Sequence, residues 1–281
     1  MKRRPTGPTD ASRRYHDRVA RKYDAIYDDP YWEFHDRLTW NAIKPHLPRD
    51  INAACCDIGC GTGKWGLKIL KSGYPTTFVD HAANMIEQVR AKLPAFGPRE
   101  KKATLLTADM VDLSALSEGS FALILALGDP LSICADPVRG ARELFRICQP
   151  GGVVIATVDN QLAGLDHYLA NYSIAELEDF VHTGRTQWLT PDEKERFDLH
   201  TFTPHTARKL FEHAGFEVME ILGKTILPLR KYKHWLEDPD QMEKLLRLER
   251  QLSKDPSSAA VAGHLQIHAR KPQRASEPEI T

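Results

Sequence analysis

Between Ala53 and Val158 short apolar runs alternate with longer stretches whose apolar residues recur every three or four positions. The runs Ala53–Asp57, Thr76–Asp80, Ala103–Ala108, Phe121–Leu127 and Val153–Val158 are bounded by glycine, proline or aspartate and predict buried strands. Helices are predicted over Lys64–Ser72, Asn84–Leu93 and Pro137–Cys148, with a loop over Pro94–Lys102 and a tight turn at Gln149-Pro150-Gly151-Gly152. This alternation predicts an α/β fold with a doubly wound, largely parallel sheet and a ligand at the carboxyl ends of its strands.

The flanks read differently. Residues 1–12 are basic, rich in Pro, Gly and Thr, and without periodicity, which predicts a disordered tail. Residues 13–50 carry two amphipathic helices, Ser12–Tyr27 and Tyr31–Leu47, rich in aromatic side chains. They form either a lid over the site or helices packed on the sheet. After the core segment 51–160, residues 161–203 predict helices over Leu165–Asn171 and Ser173–His182, the latter behind a Ser173-x-x-Glu176 capping box, then a strand within Arg196–Phe202. Residues 204–271 predict a helix starting at Pro204, strands Phe216–Leu222 and Gly263–Arg270, a charged helix Trp235–Leu252 and a loop Asp255–Ala260. Residues 272–281 form a polar tail.

The first strand runs into Asp57-Ile58-Gly59-Cys60-Gly61-Thr62-Gly63, a glycine-dense turn that opens a helix. Such a turn lets a ligand approach the backbone closely, and the helix aims free amides and a positive dipole end at it. Gly61-Thr62-Gly63-Lys64-Trp65-Gly66 also matches the dinucleotide fingerprint Gly-x-Gly-x-x-Gly, with Asp80 where a ribose-binding acid belongs. Asp57 argues against a diphosphate, which it would repel, and for a ligand carrying positive charge.

Composition narrows the choices. The chain of 281 residues has formal net charge zero and a pI near 7.2, so nothing global points to nucleic acid or membrane. The five cysteines Cys55, Cys56, Cys60, Cys134 and Cys148 are odd in number, lack a Cys-x-x-Cys pair and read as buried free thiols in a reducing, cytoplasmic compartment. The basic start Met1-Lys2-Arg3-Arg4 is followed by no apolar core of a signal peptide, and the longest apolar run is too short for a bilayer.

The stretch Asp57 to Gly63, with acids at successive strand ends (Asp57, Asp80, Asp109), resembles the class I S-adenosylmethionine (SAM)-dependent methyltransferases over about Asp57–Asp159. The resemblance implies a seven-stranded sheet with one antiparallel strand near the C-terminus, and SAM as cofactor. Asp57, with the backbone of Gly59, Cys60, Gly61 and Gly63, is then expected at the methionine portion. Asp80, followed by His81, is expected at the ribose and Asp109 with the Met110 amide at the adenine. Met85 and Leu127 would flank the ligand, and Tyr23, with Asp24, would close over it.

Methyl transfer from a sulfonium needs alignment of the nucleophile and exclusion of water, and a base only for a protonated acceptor. Candidates for that base are His35, Asp129 and His200, with Tyr27, Trp32, His35 and Asn160 expected at the acceptor. Asp129 with Asp159-Asn160 resembles the metal ligands of catechol-type O-methyltransferases. The lysine base that pattern requires is missing, and Pro130 favours a turn, so no metal is expected. The expected acceptor is a small molecule, without nucleic acid or membrane partners. Macromolecular methyl transfer, with the N-terminal arginines on an RNA backbone, is the alternative. SAM binding without methylation is a third reading.

Overall fold

The computed structural model describes residues 8–188 and 193–273. Seven strands form one sheet in the order β3-β2-β1-β4-β5-β9-β8. They are β1 (Cys55–Ile58), β2 (Thr76–Asp80), β3 (Ala103–Thr107), β4 (Phe121–Ala126), β5 (Cys148–Asp159), β8 (Glu217–Lys224) and β9 (His264–Arg270). β1 pairs in parallel with both β2 and β4, and all four of its residues are buried, as its apolar run requires. β9 is antiparallel to both of its neighbours, so six strands share one direction. The strand order reverses between β1 and β4, which opens a crevice at their carboxyl ends.

Helices α4 (Lys64–Lys71), α5 (Ala83–Lys92), α6 (Pro130–Ile133), α7 (Pro137–Ile147) and α10 (Pro204–Ala214) connect the strands. α7 shows why the sequence folds here as it does. Asp136 caps it by accepting from the Arg139 amide, Pro137 pre-sets its first turn, and Gly140, Ala141, Leu144 and Ile147 face the sheet. That face packs with Ile124, Val154, Ala156, Ile267 and Phe211 in one apolar layer. On the opposite face Cys55, Leu123, Leu125 and Ile155 meet Trp65 and Ile69 of α4 and Ile43 of α3 (Pro30–Ile43). α3 also buries Phe34 and Leu38 against Leu245 and Leu246 of α11 (Pro239–Leu252). Each such buried side chain contributes about 1.5–3 kcal/mol.

Several expected boundaries move. A helix, α1 (Pro8–Val19), begins inside the span expected to be disordered, and residues 1–7 lie outside the described residues. The first predicted helix breaks into α1, a 3-10 turn at Ala20–Lys22 and α2 (Tyr23–Ile26). α3 ends at Ile43 and tightens into a 3-10 turn at Lys44–His46, as Pro45 cannot donate to the α-helical ladder. The expected loops at 94–102 and 255–260 are largely 3-10 turns, and Gln149–Gly152 belongs to the start of β5. Trp235–Leu252 is not one helix, because Asp238 caps a new one at Pro239. Within 161–203, α8 (Leu165–Asn171) and α9 (Ile174–Thr183) precede a hairpin of β6 (Arg185–Trp188) and β7 (Phe197–His200), of which only β7 was expected. Of the polar tail, residues 274–281 lie outside the described residues.

Candidate active site

The loop after β1 folds against the turn after β4. Gly59 has φ +64°, and a Cβ there would stand 2.7 Å from Cβ of Pro130, so only glycine fits. This close approach sets the glycine turn beside Asp129. Gly61 donates its amide to Asp80 Oδ2 and Ala82 donates to Asp80 Oδ1, both at 2.8 Å. A carboxylate accepts about four hydrogen bonds, so Asp80 keeps capacity for a ligand hydroxyl.

Asp57 is fully buried. Its Oδ2 accepts from the Gly66 amide at 2.7 Å, while Oδ1 has no partner. Burial, only partly offset by that amide, pushes its carboxyl up to about 7, with Asp80 nearby adding to the rise. The charge expected at the mouth of the loop is thus buried and only part-ionised near neutral pH until a cation joins it. The Cys60 side chain points into the core with Leu70, Phe78 and Val89, so only its backbone faces the turn. Asp109 is half-buried and accepts from the Val111 amide, while the Met110 side chain enters the core.

The N-terminal segment covers this turn. Asp24 accepts from the Thr62 hydroxyl and from Lys92 Nζ, which also donates to the Thr62 carbonyl. Asp17 accepts from the Asn84 amide at 2.9 Å. Tyr23 lies over Gly61, 3.7 Å from where a Cβ would stand, and its ring packs 5.0 Å from that of Tyr27. Met85 is buried beneath Val19 and Ala20, with Tyr23 packed against the same group. His16, absent from the sequence-based expectation, packs 5.7 Å from the ring of His81 and beside Asp80, with its pKa lowered by burial. Leu127 lies in the apolar layer with Trp65.

Beside the glycine turn, a polar cluster joins residues far apart in sequence. Asp129, His264 and Asp159 bring one ligating atom each within 4.8 Å of one another. Nδ1 of His264 stands 3.0 Å from Asp129 Oδ2 and 3.6 Å from Asp159 Oδ1. Burial opposes a charge on His264, but Asp129 and then Asp159 overcome it and raise its pKa to about 9. Burial and the Asp129 charge raise Asp159 to about 7. His35 faces His264 at 6.3 Å between rings, and burial, then Lys224, lower its pKa to about 4. Lys224, fully buried, donates to the Thr39 hydroxyl, and burial brings its pKa down to about 7. Trp32 packs on both Tyr27 and His35, so an aromatic edge borders the cluster.

Two expected residues fall elsewhere. Asn160 spends its amide on the carbonyls of Ala259, Ala260 and Ala262 and its Oδ1 on the Leu162 amide, which is a structural role. His200 borders a small cavity of about 70 Å³ with Cys134, Ala135 and Arg185, apart from His35 and Asp129. The sequence missed His264 and Lys224. They face each other across the β8–β9 ladder, a pairing that nothing in their local sequence announces.

A family model described as a methyltransferase domain matches residues 55–152. With this fold and loop, residues 55–152 form a class I methyltransferase domain, and the chain is a SAM-dependent methyltransferase. The tRNA 5-carboxymethoxyuridine methyltransferase of Escherichia coli (strain K12) is 25% identical over 269 residues, covering 92% of this chain and 96% of that protein. The demethylmenaquinone methyltransferase of Staphylococcus aureus (strain JH9) is also 25% identical, over 70% of this chain and 81% of that one. Among solved structures, a SAM-dependent methyltransferase of Methanosarcina mazei superposes with TM-score 0.55 at 20% identity, covering 83% of this chain and 98% of that chain. The phosphoethanolamine N-methyltransferase 2 of Haemonchus contortus gives 0.60 at 16% identity, covering 95% and 61%. The seven-stranded expectation with one antiparallel strand is met. Among the described residues no helix is long and apolar enough to cross a membrane.

Proposed function

We propose that this methyltransferase acts on a small acceptor whose nucleophile docks on the Asp129–His264–Asp159 cluster, beside the glycine turn. One observation carries the reading. Of the six buried side-chain polar atoms without an aligned hydrogen bond among the described residues, four are Asp57 Oδ1, Asp129 Oδ1, His35 Nδ1 and His264 Nδ1, the two imidazole nitrogens being held only as ion pairs with Asp36 and Asp129. Leaving the carboxylate oxygens Asp57 Oδ1 and Asp129 Oδ1 unpaired costs about 1–3 kcal/mol each, a cost that a polar ligand repays on binding.

The cofactor supplies an activated methyl group on a cationic sulfur. The buried, unpaired oxygen of Asp57 and the close-packed turn at Gly59 fit a ligand with an ammonium group. Asp57 would hold that group, Asp80 the ribose and Asp109 the adenine end, with Tyr23 and Asp24 closing residues 13–50 over the turn as a lid. His264, held protonated by two carboxylates, orients the acceptor. Asp159, poised near neutrality, takes the acceptor's proton. Tyr27 and Trp32 offer faces against which a planar acceptor packs. Five buried free cysteines support a reducing, cytoplasmic setting.

A second reading places the acceptor in RNA. It is favoured by the match along nearly the full length of a tRNA methyltransferase, and by the exposed stretch Arg230 to Trp235 beside Trp32. A labelled-methyl screen with quinols, carboxylic acids, amines and bulk tRNA decides between the two. Labelling of tRNA alone overturns the small acceptor, and labelling of no substrate class, with SAM bound, overturns the methyl-transfer reading of the cluster.

A further inference from the structure

The two remaining unpaired buried atoms, Gln266 Oε1 and His268 Nδ1, lie together at a second place. Residues 264, 266 and 268 of β9 point to one face of the sheet, the face on which α3 lies. The start of that helix sets His35 opposite His264. Its end, through the 3-10 turn, sets His46 against His268, with ring centroids 4.7 Å apart. Glu220 of β8, the cross-strand partner of His268, brings its Oε1 to 2.8 Å from His268 Nδ1 without the alignment of a hydrogen bond. His46, Glu220 and His268 thus offer two imidazole nitrogens and a carboxylate oxygen, all within 4.8 Å of one another.

From this geometry we infer a divalent transition-metal site, of the zinc class, made by His46, Glu220 and His268. Two imidazoles and one carboxylate are a donor set that zinc accepts, with a fourth position left for water. Bonds of about 2.0–2.2 Å require modest closure of the three atoms. The half-exposed His46 and the exposed Glu220 can provide that movement. His268, 1% exposed, is the fixed ligand. Its other nitrogen, Nε2, lies 2.6 Å from the Gln266 side-chain amide. Turning that amide over puts the unpaired Oε1 against His268 Nε2–H. It pairs Gln266 and fixes the tautomer that leaves Nδ1 bare for a metal.

The site stands four residues along β9 from His264, about 13 Å away, so the ion takes no part in methyl transfer. It would instead tie the end of α3 to β8 and β9, elements otherwise distant in sequence. The other end of that helix carries Trp32 and His35 to the acceptor cluster.

The test uses the untagged full chain, stripped with a chelator, dialysed and titrated with Zn²⁺ by calorimetry, with Co²⁺ as a spectroscopic probe. One equivalent should bind, raise the melting temperature and give Co²⁺ a visible absorption band. His46→Ala and Glu220→Gln should each weaken Zn²⁺ binding at least ~10-fold. Asp159→Asn should leave it unchanged. Absence of one-to-one binding in the parent chain overturns the inference, as does unchanged affinity in both ligand variants. Loss confined to Asp159→Asn would put the ion at the acceptor cluster and overturn it equally.

Discussion

Nδ1 of His264, at the start of β9, stands 3.0 Å from Oδ2 of Asp129, at the turn after β4. The two residues are joined only through the order of the sheet, and each changes the ionisation of the other. Asp129 holds His264 protonated up to about pH 9, and His264 holds Asp129 below the usual carboxylate range against the cost of its burial.

His264→Gln should therefore lower stability by about 1–3 kcal/mol at pH 6, less than a fully buried pair would lose because both groups touch solvent. The folded-state pKa of His264 lies above its ordinary value of 6.5. Its contribution is present in full below pH 6.5 and is lost as pH rises through about 9. Urea midpoints of parent and variant should differ at pH 6 and converge by pH 10. A constant gap would show that packing, and not charge, is what His264 supplies.

Asp159, near 7 through burial and the adjacent Asp129 charge, is the base best matched to neutral pH. At saturating SAM, kcat should rise with pH through about 7, then fall as His264 loses its proton near 9. The three groups titrate as a unit, so these are values of the cluster. Asp159→Asn should lower kcat about 10²-fold and abolish the acid limb. A variant profile keeping that limb would assign the base to another group.

The sheet was legible because strand runs and glycine turns are local. All seven strands can be read from apolar runs, and β2 within its observed bounds. Asp57, Asp80 and Asp109, proposed for the cofactor side, stand out for the same local reason, since each lies at or within two residues of a strand end. The cluster proposed for the acceptor has no such local mark. His264 and Lys224 gain their setting from the pairing of β8 with β9, and β9 lies beside β5 only in the folded sheet. Asn160 misled because its place after β5 fits an acceptor contact, whereas its side chain holds the carbonyls of 259–262. β6 was missed because Arg185-Thr186-Gln187-Trp188 shows no buried alternation, and every one of its residues is at least partly exposed.

Asp80→Ala should abolish SAM binding in calorimetry. It should also lower the melting temperature, because Asp80 accepts from the amides of Gly61 and Ala82. Losing those acceptors costs about 1–3 kcal/mol for each amide left unpaired. Asp80→Asn, which restores one acceptor, should recover most of the stability but not the affinity. Wild-type SAM affinity in either variant would refute the ribose assignment.

Gly66→Ala tests packing with no change of backbone region. A Cβ there would fall 2.4 Å from Phe78 Cε1 and 2.8 Å from Asp57 Oδ2. The helix must shift away, and the hydrogen bond from the Gly66 amide to Asp57 must lengthen. Overpacking of this kind costs about 1–3 kcal/mol, well above the small gain in helix propensity. A variant as stable as the parent in denaturant melts would mean that α4 is not held against β1 and β2 as described.

Asp57 links cofactor affinity to pH. Without ligand its carboxyl sits near 7, chiefly through burial, with one oxygen unpaired. A bound ammonium favours the ionised form, so binding near neutrality expels a proton. SAM affinity should then rise with pH through about 7 and level off above it. Calorimetry in buffers of different ionisation enthalpy should detect proton release at pH 6.5 that fades by pH 8.5. Asp57→Asn keeps an oxygen for the Gly66 amide and removes the charge, so it should weaken SAM and flatten the profile. The linkage to stability runs the opposite way. A carboxyl raised above 3.8 in the fold is more costly to ionise there, so without ligand Asp57 lowers stability as pH climbs from about 4 to 7, and Asp57→Asn should remove that slope. A pH profile for SAM that survives in Asp57→Asn would move the cation-binding role to another acid.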